Sequence, residues 1–330
     1  MPNAKIVFSL TILTASLTLV ACQPQPKQPE EPVKTEPKQI QPAPDLTPKL
    51  EGQAEKLNIT LPACEGNNCP ELQVERLHSN QAFIDEIIDR EVLKNLAQML
   101  EITQVKETDT APQTASSVQS ASRAIANLTA LQQLEVQTKP YVSAFIGLDE
   151  ELKALNSNHK ISLSINPRIL NSTGPLVTVV INTSSYLGGA HGSSSQTYYN
   201  FDLEKKKWVN LQDIVQPNQQ AALENLAHEA FKTWVKDTKL ADSVEEYEQA
   251  WKFSLTDNFY LGKNGLMLQY DEYEIGPYVV GLPRLELSFE QLKVILKPQY
   301  LPKEENQPAS MVDVADAKTA SGATATKTTS

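Results

Sequence analysis

The stretch KISLSINPRILNSTGPLVTVVINTSSYLGGAHGSSSQTYYNFDL, residues 160–203, decides the fold. Its short runs at 160–165, 176–184 and 196–203 are rich in β-branched and aromatic residues, and clusters of Asn, Pro, Ser and Gly separate them, as turns separate strands. A similar run at 141–146 precedes them, so the region predicts an antiparallel sheet. The period changes on both sides. Upstream, Phe83, Ile84, Ile87, Ile88, Val92, Leu93 and Leu96 recur at helical spacing within 79–99, and a weaker helical pattern runs over 119–134. Downstream, Leu223, Leu226, Ala227, Ala230, Phe231 and Trp234 form one face of a helix over 218–236. Strands at 258–261 and 266–270 flank Gly262-Lys263-Asn264-Gly265, a hairpin turn in which Asn-Gly accepts positive φ. A strand at 284–288 and a helix at 289–296 close the region. Strands and helices mixed without a βαβ rhythm define α+β, a mixed antiparallel sheet packed by helices. Two lobes are expected, a mostly helical one over residues 50–136 and an α+β one over 137–302.

Flanking segments lack the apolar periodicity of a core. Residues 22–49 alternate Pro with Gln, Glu and Lys and read as an extended tether, with a reach of about 80 Å at 3.1 Å per residue. Residues 303–330, rich in Ala, Thr, Ser and Lys, read as a disordered tail. The 29 basic residues are outnumbered by 40 acidic ones, a net charge of −11. Such a chain has no general phosphate-neutralising surface, so nucleic acid is not an expected partner, whereas a cationic partner is compatible.

The N-terminus carries an address. Lys5 supplies a positive start, residues 6–20 are free of charge, and small Ala21 precedes Cys22, the layout of a signal peptide over residues 1–21. Leu19-Val20-Ala21-Cys22 resembles the lipobox of bacterial lipoproteins. That resemblance implies cleavage before Cys22, acylation of its thiol, and a lipid anchor in the membrane. Gln23, where Asp would signal retention, implies the periplasmic face of the outer membrane. The remaining cysteines, Cys64 and Cys69, are separated by four residues including Gly66, Asn67 and Asn68, and an oxidising periplasm favours a disulfide between them.

Two further segments stand out. One is Tyr186-Leu187-Gly188-Gly189-Ala190-His191-Gly192, followed by Phe201-Asp202-Leu203 and Leu211-Gln212-Asp213-Ile214. The other is Tyr270-Asp271-Glu272-Tyr273-Glu274-Ile275-Gly276-Pro277-Tyr278-Val279-Val280-Gly281. In order and spacing, over about residues 160–297, they resemble the domain-of-unknown-function family that forms the C-terminal extracytoplasmic part of the RsiV anti-sigma factor. The resemblance implies an extracytoplasmic binding module tied to the cell wall, with lysozyme or a peptidoglycan fragment as partner. The matching stretch includes no sigma-binding or deacetylase segment, so neither of those activities carries over.

Each feature has a bland reading beside the functional one. Gly188, Gly189 and Gly192 would permit positive φ and expose backbone N–H groups around His191, either for a ligand or simply for a tight turn. Tyr270, Tyr273 and Tyr278 offer apolar faces with polar tips, for a ligand or for sheet packing, and Tyr186 joins Tyr273 and Tyr278 among the candidate ligand-binding residues. Asp271, Glu272 and Glu274 could supply paired carboxylates for glycoside hydrolysis or could be solvated loop charges. The four histidines are scattered; only Glu224 and His228 share a helix face, so no metal site is assigned, and no cofactor or catalytic residue either. The expectation is a non-catalytic binding domain on an envelope lipoprotein, with a cell-wall hydrolase or a purely structural lipoprotein as alternatives.

Overall fold

The computed structural model describes residues 48–101 and 128–302. The signal segment, Cys22, nearly all of the tether, residues 119–127 of the weaker helix and the 303–330 tail lie outside the described residues.

Nine strands form two sheets among the described residues. Strands β1 (Gly52–Lys56), β2 (Glu71–Ser79), β3 (Ser162–Asn171), β4 (Val177–Tyr186), β5 (Ser193–Asp202) and β6 (Lys207–Val209) lie in that order in the larger sheet. All neighbours are antiparallel except β2 and β3, which run parallel. Strands β7 (Phe259–Leu261), β8 (Gly265–Gln269) and β9 (Arg284–Ser288) make an antiparallel three-stranded sheet. Six α-helices accompany them among the described residues: α1 (Ala82–Met99), α2 (Ala130–Ala154), α3 (Leu211–Ile214), α4 (Gln220–Asp237), α5 (Val244–Ala250) and α6 (Phe289–Leu292). The class is α+β, as the sequence predicts.

Among the described residues there are two apolar cores. In the first, Ile84, Ile88, Val92 and Leu96 of α1 and Phe145 of α2 pack on Val74, Leu163, Val179, Ile181 and Phe201 of the large sheet. In the second, Leu223, Ala227, Phe231 and Val235 of α4 cover Phe259, Leu266, Leu268, Leu285 and Leu287 of the small one. At the strand-to-helix junction of β2 and α1, buried Arg76 pairs with Asp89 at 2.9 Å and Glu55 at 3.3 Å. Asp85 there accepts the Ser79 backbone N–H at 2.9 Å.

Three local readings are corrected. The run at 141–146 is not a strand but the middle of α2, in which Leu134, Thr138, Phe145 and Asp149 are buried at helical spacing. Pro140 interrupts that helix's hydrogen bonding and hides its period, but Thr129 and Gln132 close a capping box at its start. The closing helix stops at Leu292, because the chain then leaves to bridge Leu296 with Val215 and to donate Lys297 N–H to the Ile214 carbonyl. The segment before α1, expected within a helical lobe, supplies β1 and β2, and the lobe boundary at 136/137 falls inside α2.

Asparagine side chains join the sheets. Antiparallel pairing alternates, and the bonds from Gln269 N–H to the Asn258 carbonyl and from Gly262 N–H to the Gly265 carbonyl fix which groups of β7 face β8. The backbone groups of Phe259 and Leu261 therefore point away from β8. Asn200 Nδ2 donates to the Phe259 carbonyl at 2.7 Å, and Asn171 Nδ2 to the Leu261 carbonyl at 2.9 Å. In return, Asn258 accepts Tyr198 N–H at 2.9 Å and donates to the Gln196 carbonyl at 2.7 Å, occupying β5 as a neighbouring strand would. Buried Asn200 also accepts from the Thr178 hydroxyl at 2.8 Å.

Replacing Asn200 with Ala strands the Phe259 carbonyl and the Thr178 hydroxyl in the interior, at a cost of about 1–3 kcal/mol. Urea denaturation should show that loss, and Asn67→Ala in the exposed disulfide loop should stay within about 0.5 kcal/mol. Equal, small effects of the two substitutions would mean that the amide stitches do not hold the sheets.

Candidate functional site

The site is built by two loops, one from each sheet. Residues 187–192 connect β4 to β5. Gly188 sits at φ +91°, where an L side chain is strained, and a Cβ there would come within 2.8 Å of Leu152 on α2. Gly192 is needed for close approach, since its Cβ would lie 2.9 Å from the Ser185 carbonyl oxygen. Of the three glycines that could take positive φ, only Gly188 does; Gly189 and Gly192 do not.

Residues 270–283 connect β8 to β9. Glu274 closes the first turn by accepting Asp271 N–H at 2.8 Å, and Tyr273 within it adopts φ +64°. Positive φ is rare for a bulky side chain. Buried Tyr247 of α5 pins the middle of the loop by donating its hydroxyl to the Ile275 carbonyl at 3.0 Å. Glu272 ties the loops together by accepting Ser194 N–H at 3.1 Å.

These supports bring His191, Tyr273 and Tyr278 into contact. The Tyr278 ring stacks on the His191 imidazole with centroids 3.9 Å apart and planes inclined by 24°. Tyr273 meets His191 Nε2 through its hydroxyl at 2.9 Å. His191 Nδ1 lies 2.9 Å from the Gly192 carbonyl oxygen, which also accepts the Tyr278 hydroxyl at 3.1 Å. A carbonyl can only accept, so the network assigns the neutral imidazole's proton to Nδ1 and leaves Nε2 to accept from Tyr273. Trp251, just after α5, stacks beside Tyr273 at 6.5 Å. Tyr273 and Tyr278 are 49% and 37% exposed and neighbouring Val279 is 85% exposed, so the cluster is an open platform.

Two other aromatic candidates are not in the cluster: Tyr186 packs edge-on against His159, and Tyr270 is buried, donating its hydroxyl to the Ser254 carbonyl at 3.0 Å. Trp251 carries no motif of its own in the sequence, and its aromatic character was the single available signal. Cys64 and Cys69 form the disulfide, with Cα atoms 5.7 Å apart. His228 bonds Glu248 at 2.7 Å and stacks on Phe253, so its partner is on α5 rather than Glu224. Among the described residues no group of three or more His, Cys, Asp or Glu is placed to hold a metal ion.

Register sets where the platform lies. Ser162, Tyr186 and Ser193 are at one end of β3, β4 and β5, beside the 187–192 loop, and Asn171, Val177 and Asp202 are at the other. Ten-residue strands separate those ends by about 30 Å. At the far end Pro48 and Pro302, where the described chain enters and leaves, line one cavity of 610 Å³ with Gly174, Val177, Asp202 and Tyr300.

The fold is similar to that of two solved structures. One is a DUF3298 family protein from Pseudomonas aeruginosa PAO1, with a TM-score of 0.51 at 23% identity, over 78% of this chain and 98% of that one. The other is a family member from Bacteroides fragilis NCTC 9343, with a TM-score of 0.50 at 19% identity, over 77% and 96%. At such identities the likeness shows the fold. Residues 212–290 match the model of the family described as Protein of unknown function (DUF3298). The match includes Tyr273 and Tyr278 but not the His191 loop, and is narrower than the 160–297 span suggested by the motifs. A curated relative, the peptidoglycan-N-acetylmuramic acid deacetylase PdaC of Bacillus subtilis (strain 168), is 25% identical over 163 residues. The matched stretch is 48% of this chain and 35% of that protein, so the chain spans about a third of the relative's length.

The carboxylates of the loop carry a pH signature. Loss of water around the turn, then the charge of Glu272, holds Asp271 above its ordinary value of 3.8. Loss of water likewise raises Glu274, outweighing the Asp271 N–H that favours its charged form. A carboxyl raised on folding contributes stability that is full below its unfolded pKa and is lost as pH rises through the folded value. Asp271→Asn should therefore be more stable than the parent at pH 7, and the gain should vanish near pH 3. Thermal unfolding at both pH values measures this, and a gain that did not change with pH would contradict it.

Proposed function

We propose that this chain is an envelope-anchored binding module without chemistry of its own, and that its ligand is a cell-wall partner seated on the His191, Tyr273 and Tyr278 platform. The convergence of these side chains from loops 82 residues apart carries the reading. Exposed tyrosines, one of them stacked on an imidazole, present apolar faces and polar tips, the surface that stacks on sugar rings while bonding their hydroxyls. The name of the PdaC relative points to peptidoglycan, and a peptidoglycan fragment is the favoured ligand. Lysozyme is the second reading, supported by the net charge of −11 and by Asp271, Glu272 and Glu274 at the platform's edge, which would attract a basic protein.

The address follows the sequence: Cys22 carries the lipid, and residues 22–49 lead from the periplasmic face of the outer membrane to the domain. The described residues begin at Pro48 and end at Pro302, both at the end opposite the platform.

The test is a calorimetric titration of the protein with muropeptides and, separately, with lysozyme. Saturable binding to one of them is expected, with His191→Ala and Tyr278→Ala weakening it tenfold or more, the loss of a central contact. Tyr186→Phe should bind as the parent does. Absence of saturable heat with both ligands, on folded and oxidised protein, would overturn the reading.

A further inference from the structure

The two edges of the small sheet are treated differently. The β7 edge is closed by Asn171 and Asn200, whereas β9 is the last strand on the other side. Tyr270 N–H bonds to the Pro283 carbonyl and Phe289 N–H to the Asn264 carbonyl, which fixes the alternation along β9. Leu285 and Leu287 face β8, and the N–H and C=O groups of Arg284 and Glu286 point outward. None of these four groups has a partner among the described residues.

A groove of 370 Å³ runs along this edge, between β9 and the C-terminal half of α4. Leu226, Ala230 and Trp234 form its apolar floor, and Glu229, Asp237 and Glu286 its acidic rim. The Arg284 guanidinium is directed elsewhere, to Gln269 at 2.6 Å and to Gln196. The C-terminal end of α4 adds partial negative charge of its own. Glu229 is paired with Lys232 at 2.8 Å, which leaves Asp237 and Glu286 as rim carboxylates outside any ion pair among the described residues.

We infer that β9 and α4 form a second binding site, separate from the aromatic platform, for an extended protein segment that alternates apolar and basic residues. Such a segment adds as a fourth strand. Its backbone bonds the outward groups of Arg284 and Glu286, alternate apolar side chains enter the floor beside Ala230 and Trp234, and basic ones meet Glu286 and Asp237. Strand addition into a groove between an edge strand and a helix takes affinity from the backbone and selectivity from alternate side chains. The shortness of β9 and its charged residues guard the edge against indiscriminate pairing, and the negative rim selects the sign of the guest.

The probe is a capped octapeptide alternating Lys and Val, titrated calorimetrically into the intact protein, with amide exchange at Arg284 and Glu286 followed by NMR. Saturable binding is expected, together with slowed exchange at the Glu286 amide. Methylating the peptide nitrogens on its β9-facing edge should weaken binding tenfold or more, as should Glu286→Lys. The methylated peptide probes the unaltered protein, so the test survives a defect in the variant. No saturable binding, equal affinity for a Glu and Val peptide, or indifference to methylation would overturn the site. So would protection of Glu286 in the free protein accompanied by a sedimenting dimer, since a second copy would then occupy the edge.

Discussion

The architecture depends on asparagine amides doing the work of backbone. A three-stranded sheet exposes two edges, and an edge buried without partners costs about the desolvation of each stranded group. Here the outward carbonyls of β7 meet Asn200 and Asn171, and the part of β5 that β6 does not reach receives both bonds from Asn258. Side-chain amides can turn through angles that strand-to-strand pairing forbids. The two sheets thus join without merging, and each keeps its own helices and its own core.

The constraint reaches the platform directly. His191 follows β4 and Tyr273 follows β8, so their relative position is set by how the sheets are joined. Arg284 strengthens the joint beneath them, spanning from Gln269 on β8 to Gln196 on β5. The contact between Glu272 and Ser194 then locks the loops in register. A site shared between two rigid sheets has little freedom to drift, which favours recognition by a preformed surface.

Much of this was legible in the sequence where burial is regular. Strands β3, β4 and β5 announced themselves because their β-branched residues recur between turn formers, and α4 because its apolar face is unbroken. The misreadings have physical causes. Pro140 and the β-branched residues after it disguise a helix whose burial comes from tertiary packing. Strand β1 has no large apolar residue and is held by its ladder with β2, and buried Arg76 spoils the alternation of β2 until its partners Asp89 and Glu55 are known. The loops at 186–192 and 270–281 were both conspicuous, yet their meeting depends on the amide stitches. Those stitches use ordinary asparagines that nothing local distinguishes.

Tyr273 bears most directly on the proposed function. Its left-handed backbone costs about 1 kcal/mol or more for a residue with a large side chain, and an asparagine or glycine would serve the turn more cheaply. The conformation turns the phenol toward His191 Nε2 and lays the ring between Trp251 and Tyr278. Folding alone gains little from placing an aromatic there, since the ring stays half exposed. The return on that strain is a fixed row of aromatic faces held open to solvent, and a surface of this kind lowers the ordering cost of binding rather than the energy of the fold.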